Sequence, residues 1–289
     1  MIDAPSPAQE AVQPIRIPEP ALLFEERAAR LAALAPSSAP GEYLVLLSRM
    51  ARGQARAVRE ISVPGGTPRG GPCPIAPSRV PREAAWRRML GLVVAESRAP
   101  GLPRQAQEAI RRLEDDGVNA VERLAEAVLA GRVDPGLAPD ALATAPFVGA
   151  ALQAYYGALA ARVDPAAVEP AERGCPLCGS PPVAGLVRGD DRVRYLSCAL
   201  CGAQWYVPRI RCTSCQAGHA VSYFEIEQDP GARAEACDAC KSYLKLFDLA
   251  KRPGAEPGAD DVATLALDLL LAEEGYARGG TNLLLWSAG

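Results

Sequence analysis

The sequence is poor in histidine, and this shortage excludes several classes of enzyme. Its one histidine among 289 residues is His219. A single imidazole leaves little room for a histidine-based catalytic triad and none for a histidine-rich catalytic metal centre. The chain also lacks a Gly-x-Ser-x-Gly elbow, a P-loop and a Gly-x-Gly-x-x-Gly turn after a strand. We therefore predict that the protein is not an enzyme, and that His219 lies in a loop or faces a partner rather than binding metal.

Long hydrophobic runs are also missing. Residues 1–20 contain no apolar signal core, and the longest apolar run, Val262 to Ala272, is interrupted by Asp268. A run of this length is too short to span a bilayer. We expect no membrane insertion and a cytoplasmic location, where thiols stay reduced.

The chain carries no excess of positive charge. Its formal net charge is −3 with the cysteines counted as neutral. Two divalent ions, each held by four thiolates, would bring this charge to about −7. That sign disfavours nonspecific binding along nucleic acid, so we expect no nucleic-acid partner. A nucleic-acid-binding zinc ribbon is kept only as a second alternative function.

Cysteine, by contrast, is abundant and regularly spaced. Eight of the nine cysteines form four Cys-x-x-Cys pairs within residues 175–240. The candidate metal ligands are Cys175, Cys178, Cys198, Cys201, Cys212, Cys215, Cys237 and Cys240. Each pair places two thiolates on one side of a turn, and eight thiolates make two tetrahedral sites that suit iron or zinc. We predict that the first pair joins the second and the third joins the fourth. A cross-braced grouping, first with third and second with fourth, stays open.

The part of the chain before the cysteines has a helical pattern. Residues 1–20 are rich in Pro, Ala and Gln and are predicted to form a disordered tail. Apolar residues then recur at helical spacing, which predicts a helical domain over residues 21–165. The predicted helices cover about residues 21–35, 41–59, 83–97, 103–115, 117–131 and 139–162. A loop rich in Gly and Pro, residues 64–82, separates the second helix from the third.

The cysteine region, residues 172–250, predicts strands and turns instead. Each half has a Cys-x-x-Cys turn, a hairpin and a second Cys-x-x-Cys turn, with strands near residues 183–188, 193–196 and 220–226. We interpret this pattern as an internal repeat of two zinc-ribbon or rubredoxin-like units.

The C-terminal segment, residues 255–289, is predicted to contain one helix over Asp260–Glu274. Asp260 and Asp261 would lie at its N-terminus, where carboxylates cap the helix and favour its dipole. The predicted fold class is therefore α+β, with a helical N-terminal domain, two rubredoxin-like or zinc-ribbon Cys₄ modules and a C-terminal helix.

Three further residues are assigned structural positions. Cys73 stands alone in the Gly- and Pro-rich loop, and we predict no chemical role for it. Trp205 and Tyr206 follow the second cysteine pair and are predicted to pack over the metal site. Where exposed, they would be candidate anchors for a partner.

The cysteine pairs stand in a longer series of motifs. The series consists of Cys-Pro-Leu-Cys-Gly-Ser (175–180), Arg-Tyr-Leu-Ser-Cys-Ala-Leu-Cys (194–201), Gln-Trp-Tyr-Val-Pro-Arg-Ile-Arg-Cys-Thr-Ser-Cys (204–215), Ala-Glu-Ala-Cys-Asp-Ala-Cys-Lys-Ser-Tyr-Leu-Lys (234–245), Ala-Asp-Asp-Val-Ala-Thr-Leu-Ala-Leu-Asp (259–268) and Glu-Gly-Tyr-Ala-Arg (274–278). In this order of motifs the chain resembles the bacterial formate dehydrogenase accessory protein family, FdhE. A weaker likeness includes Pro146-Phe147 and the residues from Leu22 onward.

The resemblance implies a helical domain followed by two rubredoxin-like metal modules. It also implies a cytoplasmic assembly factor that assists maturation of respiratory formate dehydrogenase. The implied partner is the molybdenum-containing catalytic subunit of that enzyme, bound before its export. Two metal ions, iron or zinc, are the implied cofactors, and all eight cysteines of the family pattern are present.

One alternative function shares the same ligands. A rubredoxin-like iron protein would pass single electrons to or from the client, and the sequence does not distinguish iron from zinc in a site of four cysteines.

Overall fold

The structure, a computed structural model, describes residues 12–65, 71–133, 136, 140–169, 173–189, 192–208, 211–218, 220–227 and 229–286. Within these residues, six helices of at least twelve residues precede all but the first strand of a sheet, and two shorter helices follow most of it. This architecture confirms the predicted α+β class, with a helical N-terminal domain ahead of two Cys₄ modules.

The helical domain consists of helices α1 to α6. Their bounds are α1 Pro20–Leu34, α2 Gly41–Glu60, α3 Ala85–Ser97, α4 Arg104–Asp115, α5 Val118–Leu129 and α6 Ala141–Ala160. Apolar periodicity predicted all six to within two residues at either end. The buried residues of α4 show why the pattern was sufficient: they are Ala106, Ala109, Ile110 and Leu113, which share one face of the helix.

Helix α6 forms the centre of the helical domain. Most of its residues are buried, and it packs against α2, α3 and α5. A helix that is apolar on every side must be surrounded, because otherwise it would expose apolar surface to water. Gly149 lets the backbone of Leu283 approach, since a Cβ at this position would lie 2.5 Å from the Leu283 carbonyl oxygen. No helix in the described ranges combines the length and apolar character needed to cross a membrane.

The predicted tail is partly ordered. Residues 1–11 lie outside the described residues, but Ile15–Arg16 forms strand β1. This strand pairs antiparallel with strand β4, Gln204–Tyr206, so that Ile15 lies opposite Trp205. The prediction of disorder was wrong here because Ile15 is buried against the sheet, which offsets the cost of ordering this short segment.

The loop between α2 and α3 follows its prediction in the part that can be described. Residues 66–70 lie outside the described residues, and the rest of the loop contains neither helix nor strand.

The cysteine region folds into one continuous sheet. Besides β1 and β4 its strands are β2 Pro182–Arg188, β3 Val193–Cys198, β5 Val221–Glu225, β6 Ala232–Cys237, β7 Ser242–Asp248 and β8 Ala277–Arg278. The strand order is β1-β4-β3-β2-β7-β6-β5, with β8 beside β7. Strands β4, β3 and β2 belong to the first half of the repeat, and β7, β6 and β5 belong to the second half in the same order.

The two halves of the sheet are joined through a parallel pairing. Strand β2 of the first half lies beside β7 of the second half, with Gly185 opposite Leu246 and Val187 opposite Asp248. A Cβ on Gly185 would lie 2.3 Å from the Leu246 side chain, so a larger residue here would force that side chain to move. Backbone hydrogen bonds therefore join the two halves into one sheet rather than two separate ones.

The predicted C-terminal helix is two helices. Helix α7 covers Pro257–Ala263 and helix α8 covers Leu265–Glu273, with an interruption at Thr264. The first of them begins three residues before the predicted start, because Glu256 is the N-cap and its carboxylate accepts the backbone N–H of Ala259 at 2.7 Å.

Candidate metal centres

The eight paired cysteines form two separate groups. Cys175, Cys178, Cys198 and Cys201 make the first cluster, and Cys212, Cys215, Cys237 and Cys240 make the second cluster. Within each cluster all four sulfur atoms lie within 4.8 Å of one another. The first pair thus lies with the second and the third with the fourth, which is the sequential grouping, and the cross-braced grouping is not formed.

The spacing of the sulfurs fits a tetrahedral ion. In the first cluster, the Sγ atoms of Cys175 and Cys201 are 3.6 Å apart and those of Cys178 and Cys198 are 3.3 Å apart. In the second cluster the corresponding distances, Cys212 to Cys240 and Cys215 to Cys237, are both 3.7 Å. A zinc–sulfur bond of about 2.3 Å gives a tetrahedron with edges of roughly 3.8 Å. All nine cysteines are free thiols, so no disulfide competes for these sulfurs.

The four cysteine turns share one backbone geometry. The residue after the second cysteine has a positive φ in each: Gly179 (79°), Gly202 (74°), Gln216 (67°) and Lys241 (53°). In three of the turns the N–H of this residue donates to the carbonyl of the first cysteine, from Gly179 to Cys175, from Gln216 to Cys212 and from Lys241 to Cys237. The first half uses glycine at the left-handed position, whereas the second half places side chains there, at a cost of order 1 kcal/mol each.

Backbone amides of the turns point at the sulfurs. The N–H groups of Leu200 and Cys201 lie 3.3 and 3.4 Å from the Cys198 Sγ. The N–H of Ser214 lies 3.3 Å from the Cys212 Sγ. Hydrogen bonds to a thiolate favour the charged form, which is the form that binds metal.

The first cluster is packed into the core of the helical domain. All four of its cysteines are buried and belong to the same apolar cluster as α2, α3 and α6. Gln153 of α6 donates its side-chain N–H to the carbonyl of Ala199, at 2.8 Å. The described end of the Gly- and Pro-rich loop pairs with the first turn, because the N–H of Ile75 donates to the Leu177 carbonyl at 2.9 Å.

The second cluster lies nearer to solvent. Cys212 and Cys237 are buried, Cys215 is half-buried and Cys240 is exposed. The hydroxyl oxygen of Ser242 lies 3.0 Å from the Cys240 Sγ. Its counterpart in the first half is Ala203, which has no hydroxyl group.

Without metal, the pKa values of the thiols in the second cluster differ widely. Burial raises the pKa of the Cys237 thiol to about 12. Burial alone would raise the pKa of Cys240. Hydrogen bonds from Ser242 and from neighbouring thiols outweigh this effect and lower the pKa to about 7. This cluster therefore already favours a thiolate at Cys240 near neutral pH.

The thiol pKa values of the first cluster also shift in opposite directions. Burial raises the pKa of Cys175. At Cys178 burial acts in the same direction, but hydrogen bonds from Cys175, Cys198 and Cys201 hold its pKa well below the usual value. Each cluster thus favours a thiolate before any ion arrives, which suits a cationic occupant.

Asp260 and Asp261, predicted as capping residues, are fully buried instead. Asp260 accepts the N–H of Glu256 at 2.7 Å, so it does contribute to the cap, but it also binds Arg30 of α1 and Arg252. Two arginines from different parts of the chain therefore converge on one carboxylate.

Asp261 anchors a second set of buried charges. Its carboxylate lies 3.3 Å from the Lys245 Nζ on β7 and 2.6 Å from the Arg278 guanidinium on β8. Asn282 donates to it at 2.9 Å. Burial alone would raise the pKa of Asp261. The positive charges of Lys245 and Arg278 outweigh this effect, so the pKa lies below its usual value. The sequence offered no signal for this network, because its members are separated by many residues and look like ordinary surface charges.

The remaining residues singled out in the sequence have structural positions. Trp205 is fully buried, whereas Tyr206 is 41% exposed and its ring meets the edge of Tyr195. Cys73 lies near the first turn, with its Sγ 3.7 Å from the Cys175 carbonyl, but it belongs to neither cluster. His219 lies outside the described residues.

Comparison with family models gives three matches that together span residues 12–285. Residues 12–173 match the N-terminal model of FdhE, residues 174–209 its central domain and residues 210–285 its C-terminal domain. The central match contains the first cluster, and the C-terminal match contains the second.

Similar proteins match over nearly their whole length. A protein FdhE homolog of Pseudomonas putida is 38% identical, covering 92% of this chain and 88% of that protein. Protein FdhE of Escherichia coli is 31% identical, covering 96% and 92%. The crystal structure of the FdhE protein from Pseudomonas aeruginosa superposes with a TM-score of 0.84 at 34% identity, covering 95% of this chain and 99% of that one.

Proposed function

This chain belongs to the FdhE family, and from that premise we propose that it is an accessory protein for the maturation of formate dehydrogenase. The observation that carries the proposal is the match of both architecture and sequence over 95% of the chain to a solved FdhE protein. A likeness of this extent includes the helical domain, both cysteine clusters and the C-terminal helices together, rather than one common metal-binding turn.

In this proposal the protein binds the catalytic subunit of formate dehydrogenase in the cytoplasm, before that subunit is exported. It does so without catalysing a reaction, and it binds neither nucleic acid nor the membrane interior. The net charge of −3 supports the exclusion of nucleic acid, and the single histidine supports the exclusion of catalysis. Binding free energy would be spread over a rigid surface, as in other protein–protein interfaces. The units would be the helical domain (21–165), the metal module (172–250) and the C-terminal segment (255–289).

We propose further that the two clusters each hold one ion, iron or zinc. Four thiolates at tetrahedral spacing form the donor set that both metals accept. When bound, such an ion supplies a cross-link between turns that are about twenty residues apart in the chain. The protein's own part is to bring the sulfurs together, to direct N–H groups at them and to bury most of them.

A pull-down under reducing conditions tests the client. The bait is the full chain, in parallel with a Cys198→Ala/Cys201→Ala variant and a matched control, Cys73→Ala, which removes a cysteine from neither cluster. Recovery of the catalytic subunit with the wild type and the control, but not with the double variant, would support the proposal and the need for the first cluster. Absence of any formate dehydrogenase subunit from all three would refute it.

One alternative, electron transfer by rubredoxin-like iron sites, is favoured by the exposure of Cys240, because a ligand at the surface shortens the path to a redox partner. Visible absorption distinguishes the two functions. An iron-loaded protein whose absorption bleaches when it is reduced by its client would favour electron transfer. A colourless zinc-loaded protein that still supports maturation would exclude it.

A further inference from the structure

The two clusters differ sharply in their access to solvent. In the first cluster the residue exposures are 0% for Cys175, 2% for Cys178, 3% for Cys198 and 2% for Cys201. In the second cluster, Cys215 is half-buried and Cys240 is exposed. A metal–sulfur bond opens most easily where the sulfur meets water, because solvent or another ligand can reach the ion as the bond lengthens.

Three elements of the helical part close the first cluster. Helix α1 contacts the second turn so closely that a Cβ on Gly202 would lie 2.6 Å from the Leu23 side chain. Helix α6 holds the same turn through the hydrogen bond from Gln153 to Ala199. The loop ahead of α3 covers the first turn, where the N–H of Cys73 donates to the Pro176 carbonyl at 3.0 Å. Opening this site requires movement of packed elements.

The second cluster lies outside the apolar core of the helical domain, since none of its cysteines belongs to that core. Besides its own half, it is contacted by Arg194 of the first half, which donates to the Arg211 carbonyl, and by residues after α8, where the N–H of Ala277 donates to the Lys241 carbonyl at 2.8 Å. Gln216 and Lys241 occupy the left-handed positions of its turns, where a side chain costs more than glycine does. Local opening of this site is therefore less costly than opening of the first.

We infer that the second cluster is an exchangeable metal site and that the first is a slowly exchanging structural site. The ion of the second cluster, a divalent thiophilic cation such as Zn²⁺ or Fe²⁺, would enter and leave past Cys240. This inference rests on the proposal that the cysteines bind two ions and is independent of the identity of the client.

The exchange step is a ligand substitution without a change of oxidation state. With an ion held by the four thiolates, an incoming thiolate would replace Cys240, so that one metal–sulfur bond would form as the bond to the Cys240 Sγ broke. The released Cys240 thiolate keeps its charge and accepts a hydrogen bond from the Ser242 hydroxyl, 3.0 Å away. The first cluster has no hydroxyl at the matching position, which is Ala203.

Metal release from the full-length protein tests the inference. The protein is loaded with two equivalents of Zn²⁺, verified by elemental analysis, and mixed with an excess of a chromogenic chelator. We expect one equivalent to leave at least about tenfold faster than the other, because local opening of the exposed site costs less. Pulsed alkylation with mass spectrometry then identifies the freed cysteines, and those of the second cluster should be modified first.

Variants separate the two sites. Cys240→Ser should remove the fast phase and leave the slow one, whereas Cys201→Ser should remove the slow phase. If Cys201→Ser does not fold, the alkylation order in the wild type still decides the question. Release of both ions in one phase, or earlier modification of the first cluster, would overturn the inference. Uptake of fewer than two ions would contradict both this inference and its premise.

Discussion

Arg194 and Glu235 form a buried ion pair that links the two halves of the sheet, with Nη1 and Oε1 3.0 Å apart. Arg194 lies on β3 before Cys198, and Glu235 lies on β6 before Cys237, so each partner leads into one of the clusters. Burial raises the pKa of Glu235, and the positive charges of Arg194 and Arg233 partly oppose this shift. Arg233, at the equivalent position of the second half, instead stacks over the Tyr223 ring.

Replacing one member of this ion pair should lower the free energy of unfolding more than replacing both members does. Glu235→Leu leaves the Arg194 charge buried without its carboxylate, and we expect the free energy of unfolding to fall by about 3–5 kcal/mol. The Arg194→Met/Glu235→Leu double variant removes both charges and should lose less. Urea denaturation of the zinc-loaded proteins measures both values. A double variant that loses as much stability as Glu235→Leu, or more, would contradict this account.

Substitution of Asp261 should destabilise the protein more than substitution of an exposed carboxylate that also forms an ion pair. Asp261→Asn weakens its contacts with Lys245 and Arg278, both largely buried, and should lower the free energy of unfolding by about 3–5 kcal/mol. The control, Asp238→Asn, weakens an exposed pair with Lys241 and should lower the free energy of unfolding far less, because solvent screens exposed pairs. Equal losses in the two variants would show that burial of the network does not matter.

The same substitution should have opposite effects at two glycines. Gly179→Ala forces a side chain into a φ of 79° and should cost about 1–2 kcal/mol, although the nearest atom, the Cys73 Sγ, is at an ordinary contact distance. Gly91→Ala lies within α3 with no atom near the new Cβ and should stabilise by about 0.5–1 kcal/mol. Urea denaturation checks both signs, and a loss at both positions would argue against a conformational origin.

Removal of metal should unfold the module selectively. With both ions removed by a strong chelator, the hairpins β2/β3 and β5/β6 should lose amide protection, because the turns are no longer cross-linked. Helices α2, α3 and α6 pack against one another and should keep their protection. Hydrogen exchange followed by mass spectrometry measures each segment. Unchanged protection of the hairpins in the metal-free protein would refute this prediction.

Cys73 should be dispensable for metal binding. Its sulfur lies close to the first turn but outside both clusters, so Cys73→Ser should bind the same two equivalents of metal as the wild type. Elemental analysis after gel filtration gives the stoichiometry. A loss of one equivalent would show that Cys73 is a ligand after all.

Sequence patterns were most informative where the interacting residues are close in the chain. Each cysteine turn spans four residues, so its spacing alone predicts which sulfurs share a side of the turn. The helices were predictable for the same reason, since apolar residues three and four apart define a face. Glu235 and Arg194 were not predictable as a pair, because neither residue carries a local sign of its partner.

Long-range charge pairs and the strand order could not be predicted from the sequence. Arg27 and Glu256 form a pair across 229 positions, and a carboxylate at such a position looks the same in the sequence as a solvated one. The parallel contact between β2 and β7 also depends on how two complete halves dock, which no single strand encodes. Ile15 was assigned to a disordered tail because composition alone does not reveal the free edge of β4 that it covers.

The contact between Gly149 and Leu283 has a consequence for the order of folding during synthesis. Helix α6 leaves the ribosome long before residues 280–286, yet Leu283 lies against Gly149 and the Leu284 carbonyl accepts the Tyr43 hydroxyl. A nascent chain therefore leaves this part of its helical core uncovered until Leu283 and Leu284 have been made. The helical domain thus reaches its final packing only after both metal-binding halves have been synthesised.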